Sequence, residues 1–206
     1  EMATRIALDT RVAGVAQALN REFGFAAVLA NVSRLVVDLN RGVGEAAAIP
    51  ETSDGVDIPA NRLDEAGRAA RLDNYYWPYH HGVAARIAAV KPDFLLFLHS
   101  FTPALQSAPG QTRPWHVGVM YDRDRRAADL ALPLLAEADF TVGDQLPYSG
   151  QVYNSSLARH GEAHGIGYIG LEMRQDLVAD AASQREMAQK LGPICQKIAE
   201  TLAPAR

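Results

Sequence analysis

Near the middle of the chain, Phe94-Leu95-Leu96-Phe97-Leu98 runs without polar alternation into His99-Ser100. Five large apolar residues in succession predict a central strand buried on both faces, as in a sheet with helices packed on each side. Upstream, Leu8, Val12, Val15, Ala16 and Leu19 recur at three- and four-residue steps and predict an amphipathic helix over residues 6–22, stopped near Gly24. A β-branched run, Ser33-Arg34-Leu35-Val36-Val37-Asp38-Leu39-Asn40-Arg41, predicts a strand with polar groups at both ends. Residues 42–61 have no period and predict a long surface loop of the kind that is often functional. Asp64 is placed to cap a helix through Arg68 and Arg71 toward Tyr75, with Pro78 interrupting it. A second helix over residues 79–90 would carry Val83, Ile87 and Val90 on one side.

Downstream the pattern predicts a strand at 115–121, a helix at 124–138 with Leu130, Leu134 and Leu135 inward, and a short strand at 140–142. A loop at 143–150, a brief helix at 155–164, a strand at 166–172 and a closing helix from Asp176 or Asp180 to Leu202 complete the series. Strand and helix alternate over most of the length. That order predicts an α/β fold: a single domain over residues 1–206 with a mixed, mostly parallel sheet and helices on both faces.

Composition narrows the function classes. The 206 residues suffice for one full core and are short for two, and 48% hydrophobic with 21% charged residues is the balance of a soluble globular chain. A net charge of -4 gives no electrostatic reason to expect nucleic acid or an anionic membrane as partner. The single cysteine, Cys195, rules out an internal disulfide and a cysteine-based zinc site, and its place in the last helix fits a core position. No apolar run approaches the roughly 20 residues of a membrane span, and no signal-peptide pattern opens the chain. A cytoplasmic location is the expectation.

The chemistry-bearing residues gather at predicted strand ends. His99 ends the apolar strand, where ligands sit in open α/β sheets and where a neutral imidazole serves as metal ligand or base; taken alone, it reads more simply as a strand-end histidine bonded to a carbonyl. Glu172 stands at the mouth of the strand at 166–172, where partial desolvation suits a general base, although Arg174, on the same face, could take it as an ion pair. Arg34, Asn40 and Arg41 bracket the strand predicted at 33–41, and a guanidinium beside an amide suits a carboxylate; salt bridges to Asp38 or Asp54 are the bland alternative. His80 and His81 point about 100 degrees apart on a helix and chelate poorly as a pair, so one of them could face a site. His116 reads as structural, and His160 with His164 lacks the His-Glu-x-x-His order of zinc proteases. There is no phosphate-binding glycine loop and no Gly-x-Ser-x-Gly elbow.

Five segments together resemble the N-formylglutamate amidohydrolase family: residues 33–41 quoted above, Trp77-Pro78-Tyr79-His80, His99-Ser100-Phe101-Thr102-Pro103, Gly143-Asp144-Gln145-Leu146-Pro147-Tyr148-Ser149-Gly150 and Leu171-Glu172-Met173-Arg174-Gln175-Asp176-Leu177. They stand in that family's order and approximate spacing. The resemblance implies a zinc exopeptidase-like fold and one zinc ion, with His99 as a metal ligand and Glu172 as the base that activates a water. It further implies Asn40 and Arg41 as anchor for the substrate carboxylate, with Arg34, Tyr148 and Arg174 lining the pocket. His80 and Asp9 are further candidates. The family carries another zinc ligand on a strand ahead of the first helix, which here would lie upstream of residue 1, so the first strand is expected to be missing and the remaining ligands to lie upstream. Gln145 stands where the family has asparagine.

The resemblance implies zinc-dependent hydrolysis of a small acidic N-acyl amino acid, most simply N-formyl-L-glutamate, in amino-acid breakdown such as histidine degradation. Two other readings are a carboxylate-binding homologue with an incomplete metal site and a zinc amidase or peptidase of another substrate.

Overall fold

The computed structural model describes residues 11–105, 108, 110–152 and 155–204. The first helix, α1, spans Val12–Phe23 and ends at Gly24 as its periodicity predicts; residues 6–10 of the predicted helix lie outside the described residues. The strand expected at 33–41 is absent. Those residues form consecutive turns, because short polar side chains offer the backbone local partners that compete with a ladder. Ser33 Oγ accepts from Leu35 N, Ser33 O accepts from the amides of Val36 and Val37, and Asp38 Oδ1 accepts from Asn40 N. The loop expected over 42–61 contains a small hairpin of β1 (Thr52–Ser53) and β2 (Val56–Asp57) around Asp54-Gly55, both in the left-handed conformation that a tight hairpin turn requires.

Asp64 caps α2 (Glu65–Arg71) by accepting from Gly67 N. Pro78 does not break the helix that follows. The chain widens into a π turn over Leu72–Tyr76, just ahead of the ring that would collide with a tighter turn, and continues as α3 (Trp77–Val90). The remaining elements are β3 (Phe94–Phe101), β4 (Val117–Met120), α4 (Arg126–Glu137), β5 (Val142–Asp144), α5 (Ser155–His160), β6 (Gly167–Arg174) and α6 (Ala181–Leu202). Asp180 caps α6 in a reciprocal capping box with Ser183.

Four strands form a mixed sheet in the order β3-β6-β4-β5. The outer pairs β3–β6 and β4–β5 are parallel and the central β4–β6 pair is antiparallel. The apolar run at 94–98 therefore forms an edge strand among the described residues, and its side chains are half-buried. Every residue from Phe94 to Ser100 borders one large cavity.

Alternation along the strands sorts the two faces. Ile169, Leu171 and Met173 of β6 join Leu96 and Leu98 of β3 in the main core beneath α1, α4 and α6. Cys195 of α6 is buried, and burial pushes its thiol up to about 12. The opposite face carries Tyr168, Met120, Leu95 and Phe97, covered by Leu157 of α5 and by Tyr148. Helices thus lie on both faces. None of the described helices is long and apolar enough to cross a membrane.

Gly118 of β4 and Gly143 of β5 are register partners, and a side chain on either would collide with the Leu146 carbonyl. Glycine inside a strand marks a close backbone approach, here that of the loop after β5 folding back over the second face. Gly118→Ala is expected to lower the free energy of unfolding by about 2 kcal/mol or more in urea denaturation. Gly44→Ala, whose added carbon would meet nothing within 4 Å, should stay within about 0.5 kcal/mol of wild type.

Candidate active site

Parallel pairing sets His99 of β3 directly beside Glu172 of β6. Adjacent strands lie roughly 4.8 Å apart and register partners project from the same face. On its other side Glu172 faces Gly118 of β4. Glu172 is 6% exposed although it borders a cavity. The empty space over Gly118 is filled by the loop that follows β5, which brings Tyr148 to the same cavity.

That cavity has a volume of about 940 Å³. It is bordered by His99, Glu172, Tyr148, Arg34, Asn40 and Arg41, six of the sequence-predicted site residues. Its other end is apolar: Val83, Ile87 and Val90 share a side of α3, as their spacing predicts, and face the cavity with Phe94, Leu96 and Leu98.

Asp38, itself 8% exposed, organises the polar end. One carboxylate oxygen pairs with Arg34 Nη2 at 2.9 Å while the other accepts from Asn40 N at 3.0 Å. Arg41 Nη1 lies 3.7 Å from Glu45. Asn40 Oδ1 accepts from Ser156 N at 3.1 Å, which fixes which end of the amide is the acceptor. Arg34 therefore does form the bland salt bridge to Asp38, and it does so while lining the cavity.

Two of the candidates lie elsewhere. Arg174 does not border the cavity. Its guanidinium is drawn to Asp176 at 2.8 Å and donates to the carbonyls of Pro114 and Trp115, because a strand-end side chain reaches the loop beyond more readily than it folds back. His80 does not border the cavity either; it is 2% exposed and lies behind the 39–41 segment. Asp9 lies outside the described residues.

The sequence reading missed Arg113. This guanidinium is 6% exposed, donates to Thr102 O and Tyr148 Oη, and lies over the Tyr148 and Phe101 rings. It braces the tyrosine from behind. The sequence signal, a lone arginine in Thr112-Arg113-Pro114, is too weak to find it. Gln145 proves to be a brace as well: its amide donates to Tyr121 O and accepts from Gly150 N, tying the Tyr148 loop to the end of β4.

Among the described residues no three His, Cys, Asp or Glu side chains cluster as a metal ion requires. A catalytic zinc takes about three protein ligands, so the described residues do not by themselves complete a zinc site. His99 is the imidazole that borders the cavity among them.

Behind the site, His80 Nδ1 and His160 Nε2 are 2.9 Å apart, and His80 Nε2 is 3.0 Å from Leu39 O. A carbonyl accepts only, so His80 carries its proton on Nε2 and takes a second bond from His160 Nε2–H. Burial first, then the His160 and Arg159 charges, lower His80 to about 4 against the opposing bond to Leu39; His81 adds slightly. Burial first, then Arg159 and His164, lower His160 to about 4 as well.

The sequence model of the N-formylglutamate amidohydrolase family matches residues 1–179. The crystal structure of gene product Atu2144 from Agrobacterium tumefaciens superposes with a TM-score of 0.88 at 31% identity, over 98% of this chain and 81% of that one. The N-formylglutamate amidohydrolase from Ralstonia eutropha JMP134 superposes with a TM-score of 0.65 at 22% identity, over 94% and 82% of the two chains, and shares the fold. No match was found among curated proteins.

The two lowered histidines predict a pH dependence of stability. An unfolded histidine takes up its proton near pH 6.5, whereas the folded pair refuses it until about pH 4. Stability should fall as pH is lowered through that window, by about 1.4 kcal/mol per unit for each group, and level off below it. Urea denaturation across the window should show His160→Gln with a distinctly shallower slope than wild type.

Proposed function

Because the chain belongs to the N-formylglutamate amidohydrolase family, we propose that it hydrolyses the formyl amide of N-formyl-L-glutamate to formate and glutamate, with Glu172 as general base. What carries the reading is the meeting of a buried carboxylate, Glu172, with the Asn40–Arg41 pair at one cavity. An N-acyl amino acid suits both ends: its carboxylate takes paired N–H bonds from Arg41 and the Asn40 amide, which places its acyl carbon toward Glu172.

Glu172 removes a proton from a water whose oxygen adds to the formyl carbon. It then passes that proton to the nitrogen as the C–N bond breaks, so the amine departs neutral. Tyr148, braced by Arg113, is the hydroxyl placed to hold the substrate over the base. Arg34 adds positive charge to the same wall and favours an acidic substrate, although Asp38 already compensates part of it. His99 is proposed as a ligand of the zinc ion that the sequence resemblance implies.

Glu172→Gln is expected to lower kcat at least about a hundredfold, while L-glutamate affinity, read by calorimetry, stays within about twofold. Turnover unchanged in that variant would remove Glu172 from the reaction. Arg41→Met should raise KM about tenfold or more with a smaller change in kcat, in assays of formate release. Elemental analysis of the purified protein tests the metal: zinc at one equivalent that drops in His99→Ala supports His99 as ligand, and metal content indifferent to that substitution refutes it.

A further inference from the structure

We propose that His80 and Ser156 are positioning residues for the carboxylate anchor: together they hold the Leu39 carbonyl and the Asn40 amide so that Asn40 and Arg41 face the cavity. The inference rests on the reading of Asn40 and Arg41 as that anchor. Residues 39–41 belong to no helix or strand, so no ladder fixes them. An anchor on a mobile turn would give up conformational freedom each time it bound a ligand.

Side chains from two separate helical segments supply the missing restraint. His80 Nε2 and Ser156 Oγ both donate to Leu39 O, at 3.0 and 3.1 Å. Ser156 N donates to Asn40 Oδ1, and Tyr76 Oη donates to Arg41 O at 2.9 Å. Tyr76 and His80 are four residues apart, as are Ser156 and His160, so each helical segment presents a same-face pair to the turn. All four are buried: Tyr76 is fully enclosed, His80 and His160 are 2% exposed and Ser156 is 5% exposed. His160 completes the set by donating to His80 Nδ1, which keeps the His80 proton on the nitrogen that faces Leu39.

Two features separate this from ordinary packing. The bonds converge on three consecutive residues, two of which carry the anchor side chains. The bond from Ser156 N also consumes the acceptor end of the Asn40 amide, so the end that can donate to a carboxylate is the one left for other partners.

The test separates the two nitrogens of His80. Asparagine places its amide nitrogen near the Nδ1 position and cannot reach Leu39, whereas the glutamine amide nitrogen reaches the Nε2 position. In steady-state hydrolysis of N-formyl-L-glutamate, His80→Asn should raise KM about tenfold, the worth of one buried hydrogen bond, with kcat within about twofold. His80→Gln should recover most of that loss. Ser156→Ala, which removes one of the two donors to Leu39 O, should raise KM several-fold and keeps the proposal testable if a His80 variant fails to fold. Calorimetric titration with L-glutamate should show the same order of affinities without reference to turnover. Glutamate affinity and KM unchanged in both His80→Asn and Ser156→Ala, or His80→Gln impaired as much as His80→Asn, would overturn the proposal. Wild-type protein that neither hydrolyses N-formyl-L-glutamate nor binds glutamate would instead overturn the anchor reading, and the positioning role would fall with it.

Discussion

In-register pairing of β3 with β6 is the constraint on which the site depends, because it alone sets His99 beside Glu172. Side chains alternate with a period of two, so a slip of one residue would carry Glu172 into the core that Leu171 and Met173 now fill. Burying a carboxylate among α1, α4 and α6 would cost far more than any ladder bond returns. The apolar face of β6 thus selects the register, and the polar face inherits its geometry. Core packing and the placement of Glu172 are the same event.

What lies beside Glu172 on the other strand matters as much. Gly118 leaves its position over the sheet empty, and the Leu146 carbonyl occupies that space. The loop is then held down by the Gln145 amide, which bridges Tyr121 and Gly150. Tyr148 arrives over the cavity as a result, with Arg113 beneath its ring. An absent side chain on one strand therefore decides where the Tyr148 hydroxyl on a distant loop can stand.

Much of this was legible in the sequence where a single strong signal governed the outcome. The glycine stop of α1 and the Asp180 cap of α6 each follow from local rules that nothing tertiary overrides, and the apolar run of β3 does lead into His99, although among the described residues it forms a half-buried edge strand and not a central one. Residues 33–41 misled because their β-branched pattern competes with Ser33 and Asp38, whose side chains satisfy the backbone locally; pattern favoured a strand and hydrogen bonding made turns. The Asp54-Gly55 hairpin carried a recognisable turn signal within a segment otherwise read as loop. Arg174 was misplaced for another reason: alternation assigns a face but not the direction a long side chain takes at a strand end, where Asp176 attracts it. Arg113, Gly118 and the His80–His160 pair were out of reach, since their roles arise from contacts between segments far apart in the chain.

The two halves of the site are held by different physics. His99 and Glu172 stand on strands, where ladder bonds and core packing fix the backbone. Asn40 and Arg41 stand on a turn, where precision has to come from side chains. Asp38 supplies some of it from within, binding Arg34 and the Asn40 amide with its two oxygens, and the buried groups of the π turn, α3 and α5 supply the rest from outside. The small apolar cluster of Val37, Ile49 and Tyr76 seats this turn apart from the main core. Loosening that cluster would move residues 39–41 while leaving the sheet register intact, whereas a register change would displace Glu172 and the main core together. The two groups of cavity-lining residues, His99 with Glu172 and Asn40 with Arg41, are consequently held by different parts of the fold.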